Sequence, residues 1–295
     1  MISFLSTEHA VLEYDLRQAQ SPIVQDATRS LTEDFQIQEE INQLDTASPR
    51  RILAASDDMG TVRIWEEGSN LRIMQDSSHE PFLMTCCRFR SGGQIISGGT
   101  NCRLYLWDIG RPHKPLDVLT VPRQDTGVQI CNPPMVHCVS WSPSGRLVAA
   151  GLGDGSIQIA SVLKKKLVPL SRLQEGHADS VVSLCFPNFG AAANNDRLLA
   201  SAGTDGMIIL WDLDHSVGGT KATDPRRVLS EELLLGLSEV EAASQPENEP
   251  RLLFSIPHQI KANMMVSSQT NTLFVADTGK AITGYCVPLQ STSPD

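Results

Sequence analysis

Short apolar runs that alternate with polar positions, each closed by a turn bearing glycine, asparagine or aspartate, follow one another along most of the chain. The clearest stretch reads VVSLCF (residues 181–186), a proline, LLASAG (198–203) and TDGMIILWD (204–212). A period of two buries one side of each run and exposes the other, which is the mark of a β-strand. Asp205-Gly206 supplies the positive φ that a two-residue hairpin demands. The stretch therefore predicts three short strands joined by tight turns.

The layout recurs. LMTCCRF, QIISGG and TNCRLYLWD end on Trp107-Asp108, with Ser97 ten residues before Trp107 as Ser201 is before Trp211. RILAASDDMGTVRIW (51–65) is another copy, and residues 136–160 give one in which Ala160 stands in place of the tryptophan. Weaker copies end at Tyr14-Asp15 and at Tyr285. A fixed period of ~40 residues marks a repeat architecture whose neighbouring units share one core.

These residues resemble the WD-repeat family, whose repeats form four-stranded blades of a β-propeller. The resemblance covers nearly the whole chain and implies an all-β fold, a single propeller over residues 1–295. In that family a His, a Ser or Thr, the turn Asp and the Trp form a buried hydrogen-bond relay; His177, Ser201, Asp205 and Trp211 match all four positions. Elsewhere the pattern departs. Asn101 replaces the turn Asp, Ala55 the Ser, and Asn132 and Ala160 the His and the Trp. A lone relay stabilises one blade and binds nothing.

Counting strands gives three around Tyr14, four in each of the next four units and three around Tyr285. Six blades are thus represented, the first and last incomplete. This count puts Met1 at the second strand of a blade and leaves the Tyr285 blade without its donated strand, so the open edges invite pairing. The expectation is an N-terminally shortened seven-bladed propeller; the rival is a six-bladed ring closed imperfectly. The stretch from Leu213 to Pro257 is far longer than an ordinary connection. Residues 213–250 read as an acidic, partly disordered insertion, with a short helix over 230–243 (SEELLLGLSEVEAA) favoured by its Ser cap and early glutamates. RLLFSIP (251–257) reads as the outer strand of the Trp211 blade.

Composition narrows the function. With 41% hydrophobic and 20% charged residues the chain can bury a large core, and a net charge of −10 argues against nucleic acid as the main partner. No run approaches the ~20 apolar residues of a membrane span. Seven cysteines, most inside apolar runs, read as reduced core thiols of a cytoplasmic or nuclear protein. GLGDGS (151–156) precedes a strand rather than a helix, so it is a hairpin turn and no phosphate cradle. Adjacent Cys86 and Cys87 point to opposite sides of a strand, no pair has zinc-site spacing, and no histidine accompanies a nucleophile motif. Lys164, Lys165 and Lys166 read as a solvated turn. No cofactor, metal or catalytic residue is expected.

One motif carries a functional expectation. Tyr14-Asp15-Leu16-Arg17 is similar to the aromatic-Asp-x-Arg box that ends a blade's third strand in substrate receptors of the cullin-4 RING ubiquitin ligases. The resemblance implies that Asp15 and Arg17 present a carboxylate and a guanidinium to the ligase's adaptor propeller, with Tyr14 in place of the commoner Trp. Trp107-Asp108-Ile109-Gly110-Arg111 is a near miss, its Arg one residue late. The leading expectation is a non-catalytic substrate receptor or adaptor of that ligase; the alternative is a general scaffold of another protein complex, in which residues 14–17 are only a strand end.

Overall fold

The computed structural model describes residues 2–7, 9–15, 17, 26–47, 51–76, 81–90, 93–123, 132–187, 189, 196–213, 250–268, 271–279 and 281–287. Among them run 22 strands in six sheets. Sheet one is β1 (Ile2–Ser6), β2 (Val11–Asp15) and β3 (Arg29–Ser30), followed by a single helical turn, α1 (Thr32–Phe35). Sheet two is β4 (Ile41–Ala47), β5 (Ile52–Asp57), β6 (Val62–Glu66) and β7 (Arg72–Met74). Sheet three is β8 (Met84–Arg90), β9 (Gln94–Gly99), β10 (Arg103–Asp108) and β11 (Asp117–Thr120). Sheet four is β12 (Val136–Trp141), β13 (Leu147–Leu152), β14 (Ile157–Leu163) and β15 (Lys166–Leu173). Sheet five is β16 (Val181–Cys185), β17 (Leu198–Gly203), β18 (Met207–Asp212) and β19 (Arg251–Pro257), and sheet six is β20 (Ala262–Ser267), β21 (Thr272–Asp277) and β22 (Ile282–Cys286). The order three, four, four, four, four, three is the one expected, and each sheet keeps its strands in chain order.

The chain divides into two compact units. The first is Met1–Gln124 with Met135–Val139 and Lys164–Leu167; the second is Asp125–Pro134, Ser140–Leu163 and Val168–Asp295. In the first, Val11, Leu31, Phe35, Leu53 and Trp65 fill one core between sheets one and two, and Ile64, Met74, Cys87, Ile95, Tyr105 and Trp107 fill the next between sheets two and three. In the second, Ala200, Ile208 and Leu210 of sheet five pack on Met265, Leu273 and Val275 of sheet six. Each cluster draws on two sheets, so no single sheet buries its apolar side alone.

One irregularity repeats. The pairing of the first two strands shifts by one residue at Ile41/Gln43, Met84/Cys86, Val181/Ser183 and Ala262/Met264. A bulge there re-aims side chains toward the next sheet. Asn42 donates to the carbonyl of Met84 at 3.1 Å, the Thr85 hydroxyl to that of Val136, and Met265 N donates to Ser183 Oγ at 2.9 Å. Polar side chains at or beside the bulge thereby bind neighbouring first strands.

The turns differ in one respect from expectation. Three residues, not two, connect β17 and β18, and of them Gly206 takes φ 75° while Asp205 stays out of the left-handed region. The Asp205 carboxylate instead accepts Met207 N at 3.0 Å, which closes the turn around the glycine. Two consecutive positive φ values fall on Lys164 (49°) and Lys165 (69°), between β14 and β15. The last four residues of GLGDGS form the hairpin turn between β13 and β14, and β19 pairs with β18 as predicted, Ile208 opposite Ile256. The helix expected over 230–243 lies outside the described residues.

Candidate protein-docking site and the buried relays

Sheet five brings the four relay residues together. Trp211 Nε1 donates to Ser201 Oγ at 2.8 Å, Ser201 Oγ lies 2.8 Å from His177 Nε2, and His177 Nδ1 lies 3.1 Å from Asp205 Oδ2. With the carboxylate on Nδ1, that nitrogen carries the proton and Nε2 accepts from the serine, so every donor points the same way along the chain of bonds. Burial pushes the His177 pKa down, against the pull of Asp205, which keeps the ring neutral. Gly176 is required by packing: a Cβ there would sit 2.4 Å from the Trp211 ring.

The other sheets occupy the same region with different chemistry. Sheet three keeps the Trp107 Nε1 to Ser97 Oγ bond (2.9 Å), while Asn101 donates to the Tyr105 hydroxyl at 2.8 Å. In sheet two, where Ala55 replaces the serine, Asp57 accepts from Thr61 N, Thr61 Oγ1 and Arg63 Nε at 2.9, 2.6 and 2.8 Å, and Arg63 also donates to the Phe35 carbonyl. Sheet four pairs Asp154 with Arg172 at 2.5 Å, and Arg172 Nε donates to Ser156 Oγ at 2.8 Å. In sheet six His258 Nδ1 is 2.6 Å from the Tyr285 hydroxyl, and its Nε2 is 3.2 Å from Asp277 Oδ2, an ion-pair distance without hydrogen-bond alignment. Sequence reading missed Arg63, Arg172 and His258 as partners of these acids. Among the described residues no group of three His, Cys, Asp or Glu side chains is placed to hold a metal ion, and no helix is long and apolar enough to cross a membrane.

The end of β2 is built differently. Val11, Glu13 and Asp15 alternate inward along the strand, which leaves Tyr14 on its other side. Arg17 Nε donates to Asp15 Oδ1 at 2.8 Å and its Nη2 to Oδ2 at 2.6 Å, while Arg17 N also reaches Oδ1 at 3.1 Å. These hydrogen bonds hold the Asp15 carboxyl well below the usual carboxylate range and raise Arg17 further. The side chain of Asp15 is 9% exposed and that of Arg17 67%. The structure thus brings Asp15 and Arg17 together, but in unequal parts: the aspartate is a clamp, and the guanidinium is the group turned to solvent. At the near-miss motif Asp108 instead accepts Gly110 N at 3.0 Å. Beside the clamp, Arg51 of sheet two reaches Glu13 at 2.5 Å and Glu67 at 3.1 Å, tying sheets one and two together.

Comparison with known proteins accounts for this plan. The family described as WD domain, G-beta repeat, matches residues 70–108, 128–160 and 168–212. Over these three segments the chain carries WD repeats. Its sheets are the blades of the all-β propeller class, and the matched segments show how sequence repeat and blade are offset: residues 168–212 begin in β15, the outer strand of sheet four, and end with β18 of sheet five. Similar proteins include the WD repeat-containing protein 53 homolog of Dictyostelium discoideum, 25% identical over 93% of this chain and 73% of its own length. WD repeat-containing protein VIP3 of Arabidopsis thaliana is 31% identical over 48% of the chain and 44% of its own length. The E3 ubiquitin-protein ligase COP1 of Pisum sativum is 25% identical over 56% of the chain and 22% of its own length.

Proposed function

We propose that this WD-repeat scaffold is a non-catalytic substrate receptor of a cullin-4 RING ubiquitin ligase, docking the ligase's adaptor propeller through Arg17. WD-repeat propellers in general bind other proteins and carry no reactive centre of their own, and His177 and Asp57 are each engaged by hydrogen bonds to neighbouring side chains. The observation that carries the finer reading is the two-pronged Asp15–Arg17 pair. A guanidinium locked on one edge by a carboxylate loses little freedom on binding, and its outer edge is aimed for a planar acceptor. That one of the similar proteins is named as an E3 ubiquitin-protein ligase is consistent with this reading. The buried thiols Cys86 and Cys87, both raised by burial and the first to about 12, suit a reducing compartment, cytoplasm or nucleus.

The test is recovery of the purified adaptor propeller by the full chain. Arg17→Ala should reduce recovery at least tenfold, and Asp15→Ala should reduce it less, because the guanidinium is then present but unclamped. Equal recovery by the parent chain and the Arg17→Ala variant would leave a general scaffold, with residues 14–17 a plain strand end.

A further inference from the structure

At one end of sheets two and three, apolar side chains are held in solvent on a rigid backbone. Met59, in the turn between β5 and β6, is 44% exposed, and Leu83, which leads into β8, is 42% exposed. Phe82 adjoins both. Its ring stacks on Tyr105 at 5.6 Å, and Tyr105 stacks in turn on Trp107. Gly60, next to Met59, lies so near that a Cβ there would sit 2.6 Å from the Phe82 carbonyl oxygen. A Cβ on Gly99 would sit 2.5 Å from the Leu83 carbonyl oxygen and 2.8 Å from the Phe82 ring. Leu83 N donates to Thr100 Oγ1 at 3.1 Å, and the Leu83 carbonyl accepts Thr100 N at 3.0 Å. Two glycines and two hydrogen bonds thus fix the segment that carries Phe82 and Leu83.

Apolar side chains left in water add nothing to folding, and neighbouring ones on a fixed backbone mark an interaction site that costs little to order on binding. Charge narrows the partner. The registers put residues 36–42, 57–61, 74–76, 81–83 and 99–102 at this same end of the two sheets. These segments hold Glu39, Glu40, Asp57, Asp58 and Asp76 and no lysine, arginine or histidine. Glu39 and Glu40 are exposed, and Asp58 N donates to the Glu40 carbonyl at 3.1 Å, which sets these acids beside Met59. The cations that follow the two turns, Arg63 and Arg103, are engaged by Asp57 and by the Tyr105 hydroxyl.

We infer that Met59, Phe82 and Leu83 receive a segment of a partner protein in which apolar residues are flanked by lysine or arginine, with Glu39, Glu40 and Asp58 meeting the flanking cations. The inference deepens the reading of the chain as a receptor, on which it rests, by naming the chemical class of its substrate. The surface is separate from the Asp15–Arg17 clamp. Glu13, two residues before Asp15, is bonded by Arg51 at the start of β5, whereas Met59 lies beyond the end of that strand. Substrate and adaptor are then held at opposite ends of the sheets.

Fluorescence anisotropy of the full chain with a labelled peptide tests this. The probe is Gly-Lys-Arg-Leu-Phe-Lys-Arg-Gly; one control has glutamate for every cation and the other has Gly-Gly for Leu-Phe. The parent chain should bind the probe about tenfold more tightly than either control. Leu83→Lys should weaken the probe about tenfold with circular dichroism unchanged, and Glu39→Lys with Glu40→Lys should weaken it while tightening the glutamate-flanked control. Arg17→Ala should bind the probe as the parent does while recovering less adaptor. Equal binding of all three peptides by the parent chain, or equal binding of the probe by the parent and Leu83→Lys, overturns the inference. So does a parent chain whose mass in light scattering rises with concentration while Leu83→Lys stays monomeric, because a second copy then occupies the surface. Probe binding as expected by a chain that recovers no adaptor removes the ligase and leaves the surface; adaptor recovery without peptide preference removes the surface and leaves the ligase.

Discussion

Sheets two and five meet the same packing problem, an acid beside the turn between second and third strands, and answer it with different partners. In sheet five the partner of Asp205 is a neutral imidazole that passes its second hydrogen bond on to Ser201 and Trp211. In sheet two Asp57 faces Arg63, a fixed charge; their side chains are 3% and 6% exposed, and the guanidinium also bonds a backbone carbonyl. The relay distributes modest hydrogen bonds over four residues, and losing one leaves neutral groups unpaired. The sheet-two cluster is centred on an ion pair, and losing one partner leaves a bare charge in the core. Repeats that share a backbone can thus vary in what holds them without varying in shape.

The largest effect is expected where that contrast is greatest. Asp57→Ala should cost about 3–5 kcal/mol in urea unfolding, because Arg63 stays buried without its counterion, whereas Asp205→Ala should cost about 1–3 kcal/mol. Replacing both partners in sheet two, Asp57→Ala with Arg63→Met, should recover much of the loss. Equal costs for the two aspartates would show that charge is not what separates the sheets. A smaller effect follows in the relay. Ser201→Ala deprives both His177 Nε2 and Trp211 Nε1 of their partner, while Ser97→Ala in sheet three deprives only Trp107 Nε1. The first should cost about 2 kcal/mol and the second about 1 kcal/mol. If the two serines proved equivalent, the histidine would add nothing to its blade.

The same contrast marks how far the sequence could be read. Strand number, the outer strand at residues 251–257 and the relay around Trp211 were legible because each rests on spacing along the chain: a period of two, a turn glycine, a serine ten residues before a tryptophan. Arg63, Arg172 and His258 were not, because their acids lie 6, 18 and 19 residues away and meet them only when strands pair or a connection folds back. Nothing in an isolated arginine on a strand says that it will be buried. The Tyr14–Arg17 motif lies between these cases. Its residues were visible, but the division of labour was not, since alternation along β2 turns Asp15 inward and Tyr14 to the other side, and only geometry shows the aspartate closed by its own arginine.

Acidity separates the two sheets most gently and most selectively. Burial lowers the His177 pKa below its ordinary value of about 6.5, so at mildly acidic pH the unfolded chain takes up a proton that the folded chain refuses. The contribution of a neutral His177 is therefore complete above about pH 6.5 and is lost as pH falls through that value toward the lowered folded pKa. The sheet-two clamp has a guanidinium where sheet five has an imidazole, so no histidine there contributes such a slope. Urea unfolding between about pH 5 and 7.5 should show the parent chain losing stability toward acid more steeply than His177→Gln, whatever the absolute offset between them. Comparing slopes removes the cost of breaking the relay, which both ends of the titration share. Parallel curves would mean that folding leaves the affinity of the ring for a proton unchanged, and a shallower loss in the parent chain would mean that Asp205 outweighs burial and makes the relay an ion pair like that of sheet two.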